Sequence, residues 1–270
     1  MIIIDNHVSD ANWCCSADDG NGLWYTDTFP ETEYFKAWER MAKRYSDIPY
    51  VIGADLRNEL RLTYVKGKIV SPKWGSTNVA DDWHLAATKV ANMILEENPH
   101  WLIFIQGINY GQELDGVRFV PIELNVSNKL VYQVHDYSWF HGEIDFDKET
   151  EETYNKYKTK LNEKWGYILE EGRDYTAPIW VGEIGTSHTK EGLNYYWTCL
   201  HRYLKENDLD FAYWPLDGTM SRGDGREFGD EETFGILNME WDDVAYRPHY
   251  ESIAELIESN WSNRTNSLKI

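Results

Sequence analysis

Hydrophobic residues fall into two alternating kinds of segment along the chain. The first is a short apolar run ending in polar residues: Ile2–Asn6, Val51–Leu56, Trp101–Ile105, Leu130–Val134, Ile179–Val181 and Phe211–Trp214. These runs lack the apolar/polar alternation of a half-exposed strand, so they predict strands buried on both faces. The second kind spaces its apolar residues three and four apart. Tyr34, Phe35, Trp38, Met41, Ala42 and Tyr45 predict a helix over Glu31–Tyr45. Trp83, Ala86, Val90, Met93, Ile94 and Leu95 predict another over Asp82–Asn98, stopped by Asn98-Pro99. Further helices are expected over Glu149–Glu171, Glu191–Glu206 and Pro248–Glu258.

Strands alternating with helices imply a parallel sheet covered on both faces. No linker or low-complexity tract interrupts the pattern, so residues 1–270 read as a single domain. Two parallel architectures compete. A doubly wound sheet normally carries a Gly-rich phosphate loop after an early strand, and the sequence has none. A (β/α)8 TIM barrel gathers its chemistry at the C-terminal ends of its strands. Those ends are polar one after another here: Asn6-His7, Asn58-Glu59, Gln106, His135-Asp136-Tyr137, Glu183, and Trp214 followed by Asp217. The polar residues make sense where strands leave the packed layers and enter a barrel mouth. The expected fold is therefore α/β, of the (β/α)8 type.

Composition narrows the partners. A formal charge of −20 argues against nucleic acid and against an anionic membrane surface, which both demand basic protein. Thirteen Trp and eighteen Tyr suit a cleft that stacks flat, partly polar ligands such as sugars, since these rings join an apolar face to a polar edge. The three cysteines, Cys14, Cys15 and Cys199, do not make a disulfide scaffold. Adjacent Cys14 and Cys15 bridge each other only under strain, which leaves Cys199, or a cysteine outside this sequence, as an alternative partner for one of them. No Cys/His spacing resembles a zinc site, so no metal is expected. Glycosylation triplets at Asn125, Asn260 and Asn263 are common by chance. The apolar runs are strand-sized, too short to cross a membrane. The N-terminus lacks the basic segment and apolar stretch of a signal peptide and begins like the middle of a buried strand.

Among the strand-end groups, Glu59 and Glu183 stand out as a carboxylate pair. Facing carboxyls perform glycoside hydrolysis: one protonates the leaving oxygen, and the other attacks the anomeric carbon or activates water. A separation of about 5 Å implies retention of configuration, and roughly 6.5–9.5 Å implies inversion.

The motifs around these residues resemble glycoside hydrolase family 5, the cellulase family among the retaining (β/α)8 glycosidases. "GADLRNEL" carries Glu59, with "NEL" in place of the commoner "NEP", and "WVGEIGT" carries Glu183. "IIIDNHVSDANWCCSADDGNGLW" resembles the family's third strand and its loop, "VYQVHDYSW" its sixth strand, "YWPLDG" its eighth, and "TFGILNMEW" the loop before the final helix. The resemblance covers nearly the whole chain, in order. It implies Glu59 as acid/base and Glu183 as nucleophile. Asn58 matches the residue that hydrogen-bonds the 2-hydroxyl of the sugar being cleaved. His7, His135 and Tyr137 match polar residues of the innermost subsite, Tyr137 holding the nucleophile, and Trp214 matches its aromatic floor. Trp13, Trp24, Trp74 and Trp139, in strand-end loops, are candidates for outer sugar subsites or for ordinary loop packing. No cofactor is implied.

The resemblance also implies two βα units ahead of the strand carrying His7, with an Arg close to the nucleophile. This sequence shows neither, and Arg57, beside the acid/base, is no substitute. The expectation is a barrel with strands 3 to 8 present, either a partial sequence or a short form that self-associates through its open edges. The expected activity is retaining, endo-acting hydrolysis of β-1,4-glucan outside the cell. The alternatives are another β-glycan (mannan, β-1,3-glucan, glycolipid), transglycosylation, or a noncatalytic carbohydrate-binding remnant.

Overall fold

A computed structural model describes residues 1–11, 14–189, 195–223 and 225–267, with 259–267 described by backbone alone. In chain order the elements are β1 (Ile2–Asp5), α1 (Glu31–Arg44), β2 (Val51–Asp55), β3 (Thr63–Val65), β4 (Lys68–Val70), α2 (Trp83–Glu97), β5 (Leu102–Gln106), β6 (Leu130–Asp136), α3 (Glu151–Lys164), β7 (Ile179–Ile184), α4 (Tyr195–Glu206), β8 (Asp210–Tyr213) and α5 (Arg247–Ser267). One sheet takes the six apolar runs in the order β1-β2-β5-β6-β7-β8, and β3 and β4 form a separate hairpin. β1 with β2, β2 with β5, and β5 with β6 pair in parallel.

The pattern-based expectations meet three differences. The helix expected over Glu149–Glu171 ends at Lys164, because Trp165 leaves helical geometry and Gly166, a poor helix former, opens a single 3-10 turn. Of the helix expected over Glu191–Glu206, Tyr195–Glu206 is helical and 191–194 lie outside the described residues. β7 runs through Gly182 and Glu183 rather than stopping at Val181, so Glu183 is a strand residue. The β3–β4 hairpin lies in a segment expected to be loop. Its signal is in the sequence: Lys66 and Gly67 both take positive φ, 50° and 70°, which a two-residue hairpin turn requires and which Gly adopts without steric cost.

The chain divides into two compact units, Met1–Val134 with Lys164–Trp180, and His135–Glu163 with Val181–Ile270. In the first, α1 and α2 cover the buried strands β2 and β5. Tyr34 and Trp38 on the buried face of α1 both donate to the Leu56 carbonyl just past β2, at 2.8 and 3.1 Å. Trp83 of α2 donates to the Gln106 carbonyl at the end of β5, at 2.9 Å. Large aromatic rings thus supply donors to carbonyls at the strand ends, as buried carbonyls require. Asp82 caps α2 by accepting from the Leu85 amide, so the charged start of that segment is explained by capping.

The second unit is organised on buried polar groups. Asp136, at the end of β6 and 2% exposed, accepts from the hydroxyls of Tyr157 on α3 and Tyr196 on α4 and contacts His141 Nε2 at 2.7 Å. Burial of the phenols first, and the Asp136 carboxylate second, push both well above their ordinary range. On the far side of α4, Trp197 packs edge-on to His249 of α5, and Tyr213 of β8 lies 2.8 Å from His249 Nε2. Burial first, and His188 second, push the His249 pKa down to about 4.

The His249 shift sets a pH dependence. An unfolded histidine accepts its proton near pH ~6.5, whereas the folded chain resists it down to about 4. Stability is thus fully present above pH ~6.5 and falls as the pH drops toward the folded value. Urea midpoints measured across that window should decline with falling pH, and His249→Gln should flatten this part of the profile. An equally steep profile in the variant would contradict the assignment.

Candidate active site

Two clusters of the expected residues form, one in each compact unit. The first begins where β2 ends. Arg57 turns inward and is wholly buried. Its guanidinium donates to the carbonyls of Asn6, His7, Asn21 and Leu23. Burial lowers its pKa to about 10, with Arg61 adding to the effect, so it stays charged at neutral pH. Arg61, also buried, pairs with Asp19 and donates to the carbonyls of Ser16 and Glu59, at 3.2 and 2.8 Å for the two carbonyls. Between them the two arginines fix the loop that follows β1 against the end of β2.

That clamp places Asn58 and Glu59. Asn58 Nδ2 lies 3.3 Å from His7 Nε2, and His7 Nδ1 lies 2.8 Å from Asp5 Oδ2. Asp5 can only accept when ionised, which puts the ring proton on Nδ1 and leaves Nε2 to accept from the amide. Glu59 is 8% exposed and sits at φ 43°, a left-handed conformation that costs a non-glycine residue about 1 kcal/mol or more. Its amide donates to the side-chain oxygen of Gln106, and its carbonyl accepts from Arg61. Cys14 Sγ lies 3.9 Å from Glu59 Oε2, and Asn58 Nδ2 lies 3.6 Å from Cys14 Sγ and 4.0 Å from Cys15 Sγ. The Cys14 and Cys15 sulfurs are joined as a vicinal disulfide, so of the pairings left open Cys199 is not the partner of either. Cys199 is a free thiol on the buried face of α4, its pKa pushed up to about 12 by burial.

The second cluster surrounds Glu183. Tyr137, just past β6, donates to Glu183 Oε2 at 3.0 Å, and His135 Nδ1 lies 3.4 Å from the same oxygen. Tyr137 and His135 are buried, 3% and 1% exposed. Gly185 follows β7 where a Cβ would collide with the Trp214 carbonyl, so the strand end approaches the β8 exit only because no side chain intervenes. Trp214 is half-buried, its amide donates to the Ile184 carbonyl at 2.8 Å, and the Arg226 guanidinium lies 5.7 Å from its ring centre. Trp139 stacks on Tyr137 with ring centres 4.3 Å apart and planes 9° apart, and Phe234 meets it edge-on at 5.8 Å.

The outer tryptophans separate clearly. Trp139 is 58% exposed and offers a flat apolar face. Trp24 is wholly buried, donates to Glu31 at 2.8 Å and packs on Trp83, so it is a core residue that no sugar reaches. Trp74 donates to the Val120 carbonyl at 2.8 Å and lays its ring over Gly116, which makes it a loop-packing residue. Trp13 lies outside the described residues. The strand-end reading passed over Asp5, Gln106 as a partner of the Glu59 backbone, the two cysteine sulfurs and Phe234. Asp5 carried a faint signal, two residues before a histidine at a strand end. The others meet their partners across long sequence separations that no local pattern records.

Comparison with known proteins is decisive at the level of family. The model of the cellulase family, glycosyl hydrolase family 5, matches residues 1–219. The chain belongs to this family. An endoglucanase of Paenibacillus polymyxa is 33% identical over 239 residues, covering 80% of this chain and 53% of that protein. A glycosyl hydrolase 5 family protein of Chamaecyparis obtusa is 30% identical over 249 residues, covering 89% of this chain and 41% of that protein. The chain thus spans about half the length of the curated relatives it matches. Among solved structures, the endocellulase of the archaeon Pyrococcus horikoshii superposes with a TM-score of 0.74 at 27% identity, covering 94% of this chain and 68% of that one. The fold of this family 5 chain is accordingly a partial (β/α)8 barrel with six parallel strands.

The arginine clamp yields a stability test. Lys in place of Arg57 keeps the charge but cannot fork to four carbonyls. Arg57→Lys is expected to cost about 2 kcal/mol or more, read as a lower denaturant midpoint. A midpoint within error of the parent would remove Arg57 from the account of the loop.

Proposed function

We propose that this family 5 chain belongs to an enzyme that cleaves β-1,4-glucan internally with retention of configuration, Glu183 acting as nucleophile and Glu59 as acid/base. The family match over residues 1–219 carries the reading. The similar proteins are described as endoglucanases, and a variant of the Pyrococcus horikoshii enzyme has been crystallised with cellotetraose. Internal cleavage of a polymer also agrees with action outside the cell, since such chains are too large for uptake.

The chemistry assigns each group a task. Glu183 Oε attacks the anomeric carbon while Glu59 gives its proton to the departing glycosidic oxygen. The glycosyl ester that forms removes the charge of Glu183. Glu59, now ionised, takes a proton from water, and the water displaces Glu183 from the sugar on the face the leaving group vacated. Two inversions restore the starting configuration. The Tyr137 hydroxyl donates to Glu183 Oε2, which fixes the direction of that oxygen's remaining lone pairs. Asn58, held by His7, is the candidate for the 2-hydroxyl, a bond that helps catalysis to the extent that it strengthens at the transition state. Trp139 and Trp214 are candidates for stacking on pyranose rings.

A panel of cellulose derivatives, mannan, xylan and β-1,3-glucan, read by new reducing ends, tests substrate and mode together. β-1,4-Glucan is expected to give mixed oligosaccharides, and NMR of early products should show the β anomer first. Glu183→Gln should lower the rate by about a thousandfold or more, because no other group supplies the covalent step. An α anomer as first product would overturn the double displacement. Equal rates in parent and variant would leave a carbohydrate-binding fold without this catalysis.

A further inference from the structure

The mechanism above has no use for Cys14 and Cys15, yet their sulfurs lie against both Asn58 and Glu59. One donor atom each from Cys14, Cys15 and Glu59 lie within 4.8 Å of one another. Two sulfurs and one carboxylate oxygen are a ligand set for a soft or borderline d10 cation. Cys14 and Glu59 are buried, and Cys15 is partly exposed, so the set is dry on one side and open on the other. The Asn58 amide, 3.6 Å from one sulfur and 4.0 Å from the other, is a donor of the kind that supports thiolates from outside a metal's ligand shell. The net charge of −20 raises the local concentration of cations.

We propose that Cys14, Cys15 and Glu59 form a redox-gated site for a d10 divalent cation, zinc or cadmium, which opens when the vicinal pair is reduced. As a disulfide the two sulfurs cannot act as thiolate ligands. A dithiol reductant breaks the bond by thiol–disulfide exchange: its own sulfurs end as a disulfide, and Cys14 and Cys15 each take up a hydrogen. The freed sulfurs can then separate to about 3.8 Å, the spacing that a tetrahedral cation with metal–sulfur bonds near 2.3 Å requires. Binding releases the two thiol protons to solvent, and the Glu59 carboxylate supplies the third ligand. A cation held there occupies the group read above as the acid/base, so hydrolysis would stop. That consequence rests on the proposed function, whereas the binding itself does not.

The test uses cadmium and reads binding rather than activity, through the ultraviolet thiolate-to-cadmium charge-transfer band. The reduced chain under anaerobic conditions should bind one equivalent, and the oxidised chain none. The band should vanish in Cys14→Ser/Cys15→Ser and persist in Cys199→Ala. Glu59→Gln should weaken binding about tenfold or more as a lost ligand, and Asn58→Ala about 10- to 100-fold as a lost outer partner. The unaltered chain supplies a control that needs no variant: reduced and unfolded in urea, it should bind more weakly than when folded, because the carboxylate is no longer held beside the thiols. No band in the reduced folded chain, a band that survives loss of both cysteines, equal affinity in Glu59→Gln, or equal affinity in the unfolded chain would each overturn the site. A hydrolytically inactive chain that still binds cadmium in this pattern would sink the proposed function and leave this site standing.

Discussion

The buried guanidinium of Arg57 is the constraint on which the first cluster depends. A charge taken out of water is tolerated only when its donors are met, and here four backbone carbonyls, from Asn6, His7, Asn21 and Leu23, meet them. The requirement works in both directions. The carbonyls belong to a loop with little regular hydrogen bonding of its own, so the arginine also gives that loop a single place to sit. Arg61 repeats the device on Ser16 and Glu59 and adds an ion pair to Asp19. His7, the cysteine pair and the strained backbone of Glu59 are all positioned by this pair of cations. An arginine beside a catalytic candidate invites a catalytic reading. Its hydrogen bonds assign it instead to architecture.

The two carboxylates that share a chemical logic are supported by opposite means. Glu183 lies within the regular strand β7, and its environment comes from side chains: a phenol and an imidazole aimed at one oxygen. Glu59 lies beyond a strand, in a conformation that L-residues avoid, and its backbone is held by Gln106 and Arg61. Strain of this kind persists only where surrounding contacts over-determine it.

Beneath Glu183, Asp136 gives β6 a buried anchor. Its carboxylate collects Tyr157, Tyr196 and His141 from three separate segments. Because His135 and Tyr137 flank it in sequence, the anchor fixes the strand from which both of them reach the Glu183 oxygen. Successive side chains along a strand point to opposite faces, so a residue that ties down one face steadies its neighbours on the other.

Much of this protein was legible in the order of its residues. Buried parallel strands announce themselves as unbroken apolar runs, and a polar residue at the end of such a run has no place in a core. Those two facts located the six sheet strands and singled out Asn58, Glu59, His135, Tyr137 and Glu183 without coordinates. The motifs in their order pointed to the family. Sequence pattern could not sort the tryptophans, because Trp24, Trp74 and Trp139 all stand in polar loops while burial is settled by what packs over each ring. Nor could it show that Arg57 is enclosed, that Asp136 gathers three partners, or that two sulfurs touch Asn58 and Glu59. Local patterns report periodicity over a few residues. These contacts join residues 5 to 60 positions apart, most of them more than 20, and exist only once the chain has closed those loops.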